Sequence, residues 1–178
     1  MMTDIFSDPN PARRRYLAGL LYKLVNNQIT VADLDGLPKK RILQMAEMGY
    51  VKLKHGRLKE AKTIFETLSE LDHLNAYYRT ALGSIFQKEG RVAEAIAEYS
   101  QALKLKPKDF TSLVNRGEIF LRTRNFKSAA DDFRAAILLD AEGSNLWANR
   151  ARSLVIALKR NMDLKGGPSP KKTLQKRK

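Results

Sequence analysis

The side chains that could do chemistry in this chain are few: two histidines, His55 and His73, the close acidic pairs Asp33–Asp35 and Asp131–Asp132, and no cysteine. Neither histidine has a nucleophile or a second ligand at a spacing that would build a catalytic or metal-binding constellation. The lack of cysteine removes disulfides, thiolate chemistry and Cys-based metal sites, and it fits a reducing compartment. His55 falls in a predicted turn and His73 at a predicted element boundary, where packing or capping accounts for it. The acidic pairs fall where solvent exposure or helix capping is expected. No catalytic, cofactor-binding or metal-ligating residue is therefore predicted, and the chemistry left to the chain is that of binding.

Composition narrows what could be bound. The 178 residues are 43% hydrophobic, enough for one domain with a core, plus tails. No apolar run approaches the ~18 residues of a membrane span. The start, "MMTDIFSDPNPARRRY", lacks the basic-then-apolar order of a secretory signal, so a soluble cytoplasmic protein without membrane insertion is expected. The formal charge is +14, and its distribution is uneven. Eight basic residues and one acidic residue lie between Lys159 and Lys178, which puts +7 in the tail. Such a run attracts nucleic acid or acidic surfaces in a salt-sensitive way. It carries no aromatic to stack on bases and no nucleic-acid motif, so residues 162–178 read as a solvated, disordered tail.

What must position any binding groups is a repeat. Gly49, Gly83 and Gly117 are 34 residues apart, as are Ala61, Ala95 and Ala129, and Phe65, Tyr99 and Phe133. Gly56 and Gly90 match, with Arg124 in the third copy. Small residues leave room where two helices cross, and the aromatic one turn beyond each alanine fills the remaining gap. "HGR", "EGR" and "TRN" mark the turns between paired helices. The pattern predicts three helix–turn–helix repeats at 42–75, 76–109 and 110–143, and it resembles the tetratricopeptide repeat. The fold class expected is all-α: a solenoid of three repeats with an N-terminal helical extension and a C-terminal capping helix over 144–161. The domain division expected is 1–37, 38–161 and 162–178.

In the extension, Asn10 and Pro11 suit the start of an amphipathic helix whose stripe is Tyr16, Leu17, Leu20, Leu21, Leu24 and Val25. That stripe must cover the first repeat or a second copy of the protein. Thr30 is a candidate cap for a short helix that stops at Gly36.

Within the first helix of each repeat, positions 2, 5, 9 and 12 share the face expected to line a groove. They are Leu43, Ala46, Tyr50 and Leu53, then Tyr77, Thr80, Ser84 and Gln87, then Thr111, Val114, Glu118 and Leu121. An extended peptide with apolar anchors would suit them, its backbone bonded to Thr80, Gln87 and Thr111. Each buried anchor would contribute ~1.5–3 kcal/mol. A carboxylate clamp for acidic chaperone tails is ruled out, because its positions hold Ala46, Tyr50, Thr111 and Asn115 in one register and Thr80, Ser84, Asn145 and Asn149 in the next.

The strings around the repeats are more specific. "ITVADLDGLP" before the first repeat, "LSELDH" at its end and "LGSIFQKEG" in the second resemble the class II chaperones of bacterial type III secretion over roughly residues 16–158. The resemblance implies a bacterial cytoplasmic chaperone for a translocator subunit. A Pro-Xaa-Leu-Xaa-Xaa-Pro segment of that partner would lie in the groove, and the N-terminal region, with Tyr16, Leu17, Leu20, Leu21 and Leu24, would form a homodimer. The competing expectation is a basic repeat scaffold for protein assembly whose tail meets nucleic acid or acidic surfaces.

Overall fold

A computed structural model describes residues 10–166. Among them are nine helices and no strand: α1 (Pro11–Val25), α2 (Val31–Leu34), α3 (Lys39–Lys54), α4 (Leu58–Leu71), α5 (Ala76–Lys88), α6 (Val92–Leu105), α7 (Phe110–Arg122), α8 (Phe126–Leu138) and α9 (Leu146–Gly166). The all-α class and the paired-helix repeats expected from the 34-residue period are present. The chain divides into two compact bodies between Ser112 and Leu113, a point inside α7.

In the N-terminal body α3 pairs with α4 and α5 with α6. Each crossing is set by a glycine whose missing side chain admits an aromatic ring. A Cβ on Gly49 would lie 3.0 Å from Phe65, and one on Gly83 would lie 2.7 Å from the Tyr99 ring. Phe65 and Tyr99 are fully buried, beside Ala61, Ala95 and Ala102. Close approach therefore explains the Gly–Ala–aromatic columns. The turns account for the Gly56, Gly90 and Arg124 column: Gly56 and Gly90 have φ of 75° and 76°, and Arg124 takes the same left-handed conformation at 61°. Only glycine reaches that region without cost, so the third repeat carries backbone strain the first two avoid.

Caps define how the N-terminal elements start. Asn10 accepts from the amides of Ala12 and Arg13 at the head of α1. Thr30 and Asp33 form a reciprocal capping box on α2, with Thr30 N–H donating to Asp33 Oδ2 at 2.9 Å. These hydrogen bonds, the backbone one foremost, hold the Asp33 carboxyl below its ordinary range. The "ITVADL" string is thus a helix start written in side chains. No residue of α1 is buried. Tyr16, Leu21 and Val25 are exposed and Leu17, Leu20 and Leu24 are half-buried, so the stripe is not covered within the described chain. His73 Nε2 lies 2.9 Å from Asn27 Oδ1, which ties the link after α1 to the junction of α4 and α5.

The C-terminal body repeats the same device: a Cβ on Gly117 would lie 2.7 Å from Phe133. Asp132 corrects the expectation of solvent exposure. It is buried, and Arg116 donates to it from Nε at 2.9 Å and Nη2 at 2.7 Å. Its place on α8, one residue before the core aromatic Phe133, turns it inward, where only a two-pronged charge-assisted contact satisfies it. Asp140 is buried too and accepts from Arg152 Nη1 at 2.9 Å and from the amides of Ser144 and Asn145. Arg152 is the chief reason its carboxyl titrates below the usual range. Asn145 caps α9 by accepting from Trp147 and Ala148. The helix runs to Gly166, past the expected end at 161, because nothing before the "GGP" string interrupts it. Beyond Gly166, the predicted tail lies outside the described residues.

Candidate functional site

An open apolar surface lies on α3 and α5 of the N-terminal body. α3 buries only Ala46 and Gly49. Its outer side leaves Leu43 59% and Tyr50 53% exposed, and Tyr77 on α5 is 47% exposed. With Ala46, Glu47 and Val51 these residues line a hollow of about 540 Å³. Leu43 is also a wall of a second hollow of about 390 Å³, shared with Thr30, Asp33, Lys39, Asp72 and Tyr78. Tyr77 is likewise a wall of a third, of about 410 Å³, reaching Leu105 and Lys106. Leu43 is common to the first two hollows and Tyr77 to the first and third.

The walls are held before anything binds. Tyr77 packs edge-on against the buried Phe65, with ring centroids 5.9 Å apart and planes at 77°, and edge-on against Tyr78 at 6.0 Å. The loop "LDHLN" sets where α5 begins: Asn75 accepts from Tyr77 N–H at 3.1 Å and donates to Asp72. Burial raises the Tyr77 hydroxyl above its ordinary value, and the neighbouring Tyr50 adds to the effect. The Tyr77 ring therefore stays neutral at physiological pH, as a wall for apolar groups should.

Not every predicted groove residue belongs here. Leu43, Ala46, Tyr50 and Tyr77 line one hollow together, with Ala46 buried. Leu53 is half-buried and outside the lining. Thr80 is a correction: it is buried, bonds the carbonyl of Ala76 at 3.0 Å and meets Ser112 Oγ at 2.8 Å. Ser84 donates to Thr80 O, and Gln87 Oε1 accepts from Tyr99 O–H at 2.8 Å. The Thr80 hydroxyl and the Gln87 side-chain carbonyl are thus already engaged inside the body. Thr111 is half-buried in the first turn of α7. In the C-terminal body Val114 is fully buried, and Glu118 is held by Arg150, with Nη2 donating at 2.9 Å. Val114 is core because it follows the buried Ser112 and Leu113, so three consecutive residues of α7 are enclosed. Glu47 and Val51 were missed. They sit four and eight residues after Leu43, a helical stripe that spacing alone could have extended.

Among the described residues no group of His, Cys, Asp or Glu could hold a metal ion, and no helix is long and apolar enough to cross a membrane.

Comparison with known proteins places this geometry. The tetratricopeptide repeat profile matches residues 47–110 and 80–145, together more than half of the chain. A type III secretion complex from Aeromonas hydrophila superposes with a TM-score of 0.73 at 25% identity, covering 82% of this chain and 99% of that one. PcrH of Pseudomonas aeruginosa, solved with the chaperone binding region of PopD, gives a TM-score of 0.65 at 25% identity over 72% of this chain and 98% of the other. The chaperone protein SicA of Salmonella typhimurium is 25% identical over 124 residues, 70% of this chain and 75% of its own length. Against several longer curated relatives the chain spans 17% of their length or less. The chain belongs to the tetratricopeptide repeat family, and its structural neighbours within that family are class II chaperones of type III secretion translocators.

Proposed function

We propose that this protein is a bacterial cytoplasmic chaperone that keeps an extended segment of a type III secretion translocator, or a close equivalent, bound on the α3–α5 surface of its N-terminal body. It acts by binding and not by catalysis. The observation that carries the reading is the apolar hollow whose aromatic walls, Tyr50 and Tyr77, are each about half exposed, with Tyr77 held by Phe65 and Tyr78. The flanking strings support it, because the capping box of Thr30 and Asp33 and the Asp72–Asn75 junction build the second hollow from the residues that resemble that chaperone class. The PcrH complex with part of PopD supports it as a likeness at comparable coverage. Purifying the protein from its host and identifying the chains that come with it tests the reading. An exported, membrane-inserting subunit is expected among them, and a set containing no exported protein overturns it.

We further propose that α1 forms a homodimer through Tyr16, Leu17, Leu20, Leu21 and Leu24. The uncovered stripe supports this, since a row of leucines at helical spacing left in water gains ~1.5–3 kcal/mol for each side chain it buries. Light scattering is expected to give twice the 20.2 kDa chain mass for the native protein and the single-chain mass for Leu20→Asp/Leu24→Asp. An unchanged mass in the variant removes α1 from the interface.

A further inference from the structure

The α3–α5 hollow contains one charge. Of its six lining residues, Leu43, Ala46, Tyr50, Val51 and Tyr77 are apolar or aromatic, and the sixth is Glu47. The carboxylate is solvent-exposed, and among the described residues no hydrogen bond or ion pair engages it. Six of the nine glutamates, Glu60, Glu66, Glu89, Glu94, Glu98 and Glu118, each hold a lysine or arginine; of the three that do not, Glu47, Glu70 and Glu142, Glu47 alone lines the hollow. Glu47 is also the only acid on α3, which carries five basic residues: Lys39, Lys40, Arg41, Lys52 and Lys54. None of the five can reach it along the helix. Its neighbours three and four residues away are Leu43, Gln44, Tyr50 and Val51, and only those spacings face one another. The negative charge therefore sits among aromatic and aliphatic side chains with no cation of its own.

We propose that Glu47 selects the partner: the segment held in this hollow carries a lysine or arginine immediately beside its apolar anchor, and that cation lies between the Glu47 carboxylate and the faces of Tyr50 and Tyr77. The proposal rests on the reading of the hollow as a segment-binding site and states which segment fits. Charge complementarity comes from the free carboxylate. The tyrosine rings add the negative face that attracts an ammonium or guanidinium within ~6 Å. The long stem of a lysine or arginine also covers apolar wall while its head stays near solvent. An acidic residue at the same place would meet a like charge beside an apolar surface, and like-charge juxtaposition is how such sites reject wrong partners.

The test uses the full chain and fluorescent synthetic peptides of the pattern Pro-Xaa-Leu-Xaa-Xaa-Pro, with each Xaa in turn lysine, alanine or glutamate, read by anisotropy. With the native protein, lysine at one position is expected to bind roughly fivefold tighter than glutamate there, the scale of one exposed ion pair with an aromatic contribution. Glu47→Gln flattens that preference and Glu47→Lys reverses it; circular dichroism checks that both variants keep their helices. The preference shrinks as salt rises. The same peptide ranking in the native protein and Glu47→Lys overturns the proposal while leaving the hollow as a binding site. Peptides that bind equally well to Tyr50→Ala/Tyr77→Ala, or that bind no form of the protein, overturn the site itself and the proposal with it.

Discussion

Tyr99→Ala is expected to destabilise the N-terminal body by about 3–5 kcal/mol, the usual cost of emptying a buried aromatic site, and Gly83→Ala by about 1–3 kcal/mol through overpacking. The second figure is a net of opposing terms. Alanine in a helix interior is favoured over glycine by ~1 kcal/mol, so an ordinary Gly→Ala change on α5 would stabilise. Here the added Cβ meets Tyr99 at 2.7 Å from Cε1 and 2.8 Å from Cδ1. The ring cannot swing aside, because it is fully buried and its hydroxyl is bonded to Gln87 Oε1 at 2.8 Å and lies 3.1 Å from Ser84 Oγ. The two changes should therefore be strongly coupled. With the ring removed in Tyr99→Ala, adding Gly83→Ala is expected to be neutral or stabilising, since the clash is gone and the propensity gain remains. Urea unfolding followed by helical signal reads all four corners of the cycle. Additive losses in the double variant would show that the Gly83–Tyr99 approach does not set the helix crossing.

That coupling marks where the sequence was legible and where it stopped being so. The columns of Gly, Ala and aromatic residues are legible because close approach permits almost no other residue types, and they lead straight to the paired helices. Caps were legible for the same reason: Asn10, Thr30 and Gly36 are types with few other uses at those places. The groove was legible only in part. Positions 2, 5, 9 and 12 share a helical face, but sharing a face does not say whether a polar side chain is already engaged. The Thr80 hydroxyl is bonded to Ala76 and Ser112, and the Gln87 carbonyl oxygen to Tyr99. A clue was present in the aromatic column, which reads Phe65, Tyr99, Phe133. A buried tyrosine in a column of phenylalanines brings a hydroxyl that needs a partner, and Ser84 and Gln87, fifteen and twelve residues earlier on the facing helix α5, supply it. Asp132 shows the same limit. Its burial depends on Arg116 lying sixteen residues away on the facing helix, a relation no local pattern encodes.

Removing the two tyrosines is expected to abolish partner binding while leaving the fold. Aromatic anchors at the centre of an interface typically cost ~2 kcal/mol or more when truncated, about thirtyfold in affinity each. Tyr50→Ala/Tyr77→Ala should then weaken binding of a Pro-Xaa-Leu-Xaa-Xaa-Pro peptide by roughly 10²–10³-fold, read by calorimetry. The structural cost is smaller. Tyr50 and Tyr77 are about half exposed, and Tyr77 gives up two edge-on ring contacts, with Phe65 and Tyr78, worth ~0.5–1.5 kcal/mol each. Thr80→Val supplies the contrast. It removes a buried hydroxyl bonded inside the body, so it should lower stability by about 1–3 kcal/mol and leave peptide affinity within twofold, roughly the limit of such a measurement. If Thr80→Val weakens binding as much as the tyrosine pair does, the ligand runs along the inner face of α5, and the hollow between α3 and α5 is not where its anchors sit. If only the tyrosine pair matters, the binding surface is the one defined by exposure and aromatic preorganisation, and position in the repeat is secondary to what each side chain already holds.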